Sequence, residues 1–142
     1  MNDKIQRLYD KVYDELEQYV KKNSMYNPSI FKTEPNEKLF PIIIVKELPR
    51  TSIYNDLSYK DELYYYSMEI NIYAMQKGNI AGSTITAEIA TIIERFFKDV
   101  YRMNVKVFRD APNVDTSVHR NIITVKCIID TKYKDKLILY PK

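Results

Sequence analysis

Residues 64–76 read Tyr64-Tyr-Tyr-Ser-Met-Glu-Ile-Asn-Ile-Tyr-Ala-Met-Gln76, and their alternation decides the fold. Tyr66, Met68, Ile70, Ile72 and Ala74 fall on one side of an extended chain; Tyr65, Ser67, Glu69, Asn71 and Tyr73 fall on the other. A period of two with one drier side marks a long strand whose dry face packs on a core. The cover for that face lies on both sides of it in sequence. Upstream, Ile5, Leu8, Tyr9, Val12, Tyr13, Leu16, Tyr19 and Val20 recur every three or four residues, with mostly charged residues between them. This predicts an amphipathic helix over 3–22, capped by Asn2 and closed by Lys21 and Lys22 at the negative end of its dipole. Its polar face carries both signs, which suits packing on a sheet better than lying on a membrane. Downstream, Ile85, Ile89, Ile92, Ile93, Phe96, Phe97 and Val100 predict a second helix over 83–103, with Ser83 or Thr84 as N-cap. The turn into it, Lys77-Gly-Asn-Ile-Ala-Gly82, holds both glycines of the chain.

Three more strands complete the pattern. Residues 39–47, Leu-Phe-Pro-Ile-Ile-Ile-Val-Lys-Glu, form a β-branched apolar run that suits a strand covered on both faces, with Pro41 tolerated near its start. Val105–Arg109 is a short strand. Residues 120–131 alternate, with Ile123, Val125, Cys127 and Ile129 inward and Thr124, Lys126 and Asp130 outward. The polar stretch 23–37 reads as a connection, and the tail 132–142 as an edge strand or a segment that docks on another subunit. The order is helix, strand, long loop, strand, helix, strand, loop, strand, within one domain over 1–142.

The long loop, 48–63, carries Ile53, Tyr54, Leu57 and Tyr59, which are poor residues to expose alone. Long loops in small domains are usually functional. This one is expected to act as an arm that packs on a partner; the alternative is a loop folded back on its own core. Thirteen tyrosines point either to interface chemistry or to the base composition of the gene.

Composition narrows the function classes. At 142 residues, 45% hydrophobic and 29% charged, the chain can bury a core and is not a disordered tail. No apolar run nears the ~20 residues that span a bilayer. Its opening Met-Asn-Asp-Lys reads as the start of a charged helix rather than a signal peptide. One cysteine gives no disulfide framework and suits a reducing compartment. A net charge of +3 is too small to mark a dedicated nucleic-acid binder. The excess of Lys and Arg after Arg120 reads as a solvated basic end or as a contact for phosphate or an acidic partner.

Catalytic patterns are thin. Cys127 lies on a core face, and His119 is too far along the same strand to form a dyad with it. Zinc ligands and glycine-rich phosphate loops are missing from the sequence. The best enzyme reading is a Mg²⁺-dependent nuclease, in which Asp115 with Asp130-Thr-Lys132 would bind the metal and steady developing charge. Pro112 is followed by Asn113 where that pattern expects aspartate. We therefore expect no catalytic residues, no cofactor and no metal.

The order of elements resembles the tail terminator (tail completion, or tail-to-head joining) proteins of tailed bacteriophages. The likeness covers about residues 1–131. It rests on the amphipathic first helix, the strand opening with Phe40-Pro41, the long loop into Tyr64–Tyr73 and the single helix 83–103. It rests also on Ala111-Pro-Asn-Val-Asp115 ahead of His119-Arg120 and a strand ending in Asp130. Family members often follow the Pro-Asn element with Tyr-Arg; here His119 replaces the tyrosine.

The resemblance implies an α+β fold: a mixed, mainly antiparallel four-stranded sheet with two long helices packed on one face. It implies a homo-hexameric ring that caps the tail tube and meets the head connector, assembled in the bacterial host cytoplasm and resident in the virion neck. DNA would only pass through the lumen, and no membrane would be involved. Ring contacts are heterologous, so each subunit needs two unlike surfaces. Ile53, Tyr54, Leu57 and Tyr59 are the expected apolar anchors of one; Asp110, Asp115, His119 and Arg120 are the expected polar contacts of the other. Another phage neck component, a head-closure protein or an adaptor, is the alternative.

Overall fold

The computed structural model describes residues 3–52, 63–130 and 138–141. The amphipathic stripe at the start folds as α1 (Asp3–Asn23) and buries Leu8, Tyr9, Val12, Leu16 and Val20. The proposed cap, Asn2, lies outside the described residues. A short strand, β1 (Ser29–Phe31), runs parallel to β2 (Ile42–Glu47). The stretch 23–37 is therefore more than a connection. Three residues are too few to show a period, so β1 has no signature in the sequence. After β2 come β3 (Thr51–Ser52) and the long β4 (Leu63–Met75).

The second helix, α2 (Gly82–Arg95), opens into a π-helical turn over Phe96–Val100. It ends short of the expected Met103, and Arg102 takes a left-handed backbone with φ 53° before the next strand. Its N-cap is Ala81, which makes no side-chain capping bond, rather than Ser83 or Thr84. The reason is packing. A Cβ on Gly82 would lie 2.8 Å from the Ala74 carbonyl oxygen and 2.9 Å from His119 Cδ2. The helix thus begins where glycine lets its backbone meet β4, and a residue fit for capping was not needed to start it. The chain closes with β5 (Asn104–Phe108), β6 (Val118–Asp130) and β7 (Ile138–Pro141).

The four expected strands are present, and three short ones, β1, β3 and β7, join them. The sheet order is β1-β2-β4-β6-β5, with β3 beside β4 and β7 beside β6 at their far end. All pairings except β1–β2 are antiparallel. The axis is β4 against β6, paired from Leu63↔Asp130 to Met75↔Val118. Their register places Tyr66, Met68 and Ile70 opposite Cys127, Val125 and Ile123 on one face. Both helices cover that face, and the whole forms one α+β core with Ile43, Val45, Ile85, Ile89, Ile93 and Phe97. Each such side chain stabilises by about 1.5–3 kcal/mol when removed from water.

Several tyrosines serve this core. Tyr66 is 1% exposed, and its hydroxyl donates to Glu47 Oε2 at 2.7 Å. Tyr9 donates to the Val45 carbonyl at 2.8 Å and Tyr13 to the Ile30 carbonyl at 3.0 Å, tying α1 to β2 and β1. Buried hydroxyls of this kind need partners, and here backbone and carboxylate supply them. Cys127 is buried, and burial pushes its thiol up to about 12, which leaves it inert at neutral pH. Among the described residues no helix is long and apolar enough to cross a membrane.

Candidate functional site

The face of the sheet turned away from the helices is mixed along β6 and β5, where Arg120, Thr124, Lys126 and Lys106 share it with Ile122, Ile128 and Phe108, and apolar near β2. Ile42 and Ile44 point there, opposite Tyr73 and Asn71 of β4. The sequence reading of β2 as covered on both faces is right: the two isoleucines are 2% and 5% exposed. Their second cover is not a helix. Two loops rise from the sheet around them, residues 32–41 and 109–117, and leave a groove of about 330 Å³ between them. Ile42, Ile44 and Tyr73 form its floor; Pro35, Lys38 and Phe40 line one wall, and Asn113, Val114 and Asp115 the other. Val114 of the second wall is 103% exposed, and Leu39, between the wall residues Lys38 and Phe40 in sequence, is 77% exposed. Among the described residues these are two of the most exposed large apolar side chains.

The 109–117 wall is held firmly. Arg120, on β6, donates from Nε at 3.0 Å and from Nη2 at 2.8 Å to Oδ1 of Asn71, which is 1% exposed. Its Nη1 donates to the Pro112 carbonyl at 3.3 Å, and its guanidinium lies 5.6 Å from the centre of the Tyr73 ring. Asn71 in turn donates to Glu69 Oε1 at 2.9 Å. At the start of the wall, the Asp110 N–H donates to Asn121 Oδ1 at 3.0 Å and the Ala111 N–H to the Arg120 carbonyl at 2.7 Å. Asp110 adopts φ 54°, a left-handed conformation that aspartate tolerates better than most residues. At the other end, Asp115 Oδ1 accepts from the Ser117 hydroxyl at 2.6 Å and the Ser117 N–H at 3.0 Å. Those bonds hold its carboxyl below the usual range.

The expected polar contacts thus divide. Asp115 lines the groove but commits one carboxylate oxygen to its own turn. Arg120 is turned inward, toward Asn71 and Pro112, and acts as a positioning residue for the wall. Asp110 stands at the base of the loop. His119 is on the opposite face, because neighbours on a strand alternate, and it packs against the start of α2 at Gly82. Ile53, Tyr54, Leu57 and Tyr59 lie outside the described residues. The sequence reading missed Ile42, Ile44 and Tyr73 as a floor and Lys38 and Phe40 as a wall. The available signal was the unbroken apolar run 42–45, which asks for cover on a second face.

The nuclease pattern does not assemble. Asp115 precedes the first residue of β6 and Asp130 is its last. Twelve steps of strand separate Val118 from Asp130, about 41 Å at ~3.4 Å per residue. The two carboxylates cannot share one ion. Among the described residues no group of three His, Cys, Asp or Glu side chains stands close enough to hold a metal.

Comparison with models of known protein families gives no match, and no curated protein matches the chain.

Proposed function

We propose that this chain is a virion structural protein whose copies form a six-fold ring at the top of a bacteriophage tail, closing the tail tube and joining it to the head connector. The order of elements over residues 1–131 supports this, as does the α+β core with both helices on one face of a mixed sheet. The observation that carries it furthest is the inequality of the two ends of the sheet. One end bears the groove between residues 32–41 and 109–117. The other is widened by β3 and β7, where the segments 53–62 and 131–137 join neighbouring strands. A ring of identical subunits needs unlike, complementary surfaces, since each contact is head-to-tail. In this reading the chain supplies surfaces and carries out no chemistry.

The test is native mass measurement with negative-stain imaging over a range of protein concentrations, with and without purified tail tube protein. A hexamer with a central hole, stabilised by tube protein, is the expected result. Binding to the portal side alone would assign the chain to a head-closure or adaptor role. A monomer under every condition, with no capture by tube protein, overturns the ring. Incubation of the protein with duplex DNA and Mg²⁺ is expected to leave the DNA intact; cleavage abolished by Asp130→Ala would replace the structural reading with the nuclease.

A further inference from the structure

We propose that the sheet face turned away from the helices binds single-stranded DNA, with a backbone phosphate held beside Lys126 and a base stacked on Phe108. The inference goes beyond the assembly reading above and does not depend on it.

The argument is one of register. A net charge of +3 is small for the whole chain, but strand pairing gathers cations on this one face. Lys46 of β2 stands opposite Glu69 of β4, Glu69 opposite Thr124 of β6, and Thr124 opposite Lys106 of β5. Lys126 follows two residues along β6, between Ser67 and Asn104. Lys106 and Lys126 are therefore diagonal neighbours, about 7–8 Å apart. All three lysines are exposed, and none makes an ion pair among the described residues. Among the described strand residues of this face the carboxylates are Glu69, which accepts a hydrogen bond from Asn71, and Asp130, which is buried. Arg120 shares the face but is committed to the groove wall. The exposed balance is positive and complements a chain of phosphates.

Two further features give this basic surface the form of a site. Beside Lys126 the surface dips into a hollow of about 110 Å³ whose lining includes Thr51, Tyr65 and Ser67. It has room for one phosphate group, and an ammonium and three hydroxyl-bearing side chains surround it. Phe108 stands on the same face, 55% exposed and opposite Ile122. It lies four residues along β5 from Asn104, the partner of Lys126, or about 14 Å at ~3.4 Å per residue, with Lys106 between. Cations that follow a backbone beside an open aromatic ring are the chemistry that holds single strands, whose bases have free faces to stack. A duplex keeps those faces stacked inside, so it could use the lysines but not the ring. The ring's nearest neighbours on the face, Ile122 and Lys106, supply no acceptor for a ribose 2′-hydroxyl, which favours DNA over RNA.

The experiment is fluorescence anisotropy of the whole protein with labelled oligothymidine of about 16 nucleotides, over about 50–200 mM salt. Binding roughly ten-fold or more tighter than to a duplex of equal length is expected. The logarithm of affinity should fall against that of salt with a slope of about −2, for three phosphates neutralised. Lys126→Ala should flatten that slope by about 0.7. Phe108→Ala should weaken binding about five-fold or more and leave the slope unchanged. Both side chains are exposed, and circular dichroism with thermal melting confirms that the variants fold. No binding of oligothymidine, or equal affinity for the duplex, overturns the proposal. Tighter binding of oligouridine or of poly-glutamate overturns it as well, by assigning the face to RNA or to an acidic protein. Binding that neither variant alters places the contact elsewhere and removes the site from this face.

Discussion

Arg120 is the residue whose replacement tests the description of the groove most directly. Arg120→Ala removes two donors from Asn71 Oδ1, one from the Pro112 carbonyl and the guanidinium packed on Tyr73. A hydrogen bond to a charged partner contributes about 1.5–3 kcal/mol, and leaving a buried acceptor unpaired costs within the same range. Stacking of the cation adds about 0.5–1 kcal/mol at a half-exposed site. The side chain is partly open to water, so the lower ends apply, and we expect a loss of about 2–3 kcal/mol. For a chain of this size that lowers Tm by about 4–12 °C, at roughly 2–4 °C per kcal/mol. Arg120→Lys recovers only part of it, because a point charge cannot give the two-donor fork. The sharper assay is a double-mutant cycle with Asn71→Ala, read by urea unfolding. The expected coupling is about 1.5 kcal/mol, together with faster proteolytic cleavage between residues 111 and 117. A cost under about 0.5 kcal/mol for Arg120→Ala, or additive effects within ~0.3–0.5 kcal/mol, would refute the claim that this arginine holds the wall.

Three further outcomes follow from the same geometry. Gly82→Ala improves helix propensity but drives a Cβ to 2.8 Å from the Ala74 carbonyl; backbone must shift, and a net loss of about 1–3 kcal/mol is expected in thermal or urea unfolding, while equal or greater stability would contradict the close approach. Alkaline pH should destabilise the fold: Cys127 and Tyr9 are both raised to about 12 by burial, so above their ordinary values the unfolded chain sheds protons that the folded chain keeps. Unfolding free energy is therefore expected to fall from about pH 9 to 12, by at most about 1.4 kcal/mol per pH unit for Cys127, and Cys127→Ala should flatten the slope; an unchanged slope would place the thiol in water. Val114→Asp changes a fully exposed side chain, so stability by calorimetry should stay within ~0.5 kcal/mol while native mass shows loss of the assembled species; a large loss of stability would show that Val114 packs on its own chain.

The amino-acid pattern was enough to read the two helices, the four longer strands and the buried face. The 3.6-residue stripe of α1 and the alternation of β4 and β6 each assign a side to the core, because a helix or strand cannot turn its apolar residues inward without repeating them at its own period. It also carried the demand for cover on both faces of β2, through Ile42 to Val45. Tertiary structure alone decided what met that demand. The covering loops have no period, and Arg120 shows its partner only once β4 and β6 are in register, since Asn71 and Pro112 lie 49 and eight residues away. Register likewise split His119 from Arg120, adjacent in sequence and opposed across the sheet, and parted Asp115 from Asp130 by the length of a strand. The start of α2 was settled by contact too: the space beside Ala74 admits a glycine backbone, and that outweighed the capping preference of Ser83 and Thr84. Local patterns record what each segment must bury; which distant groups meet depends on long-range pairing, which no window of neighbouring residues contains.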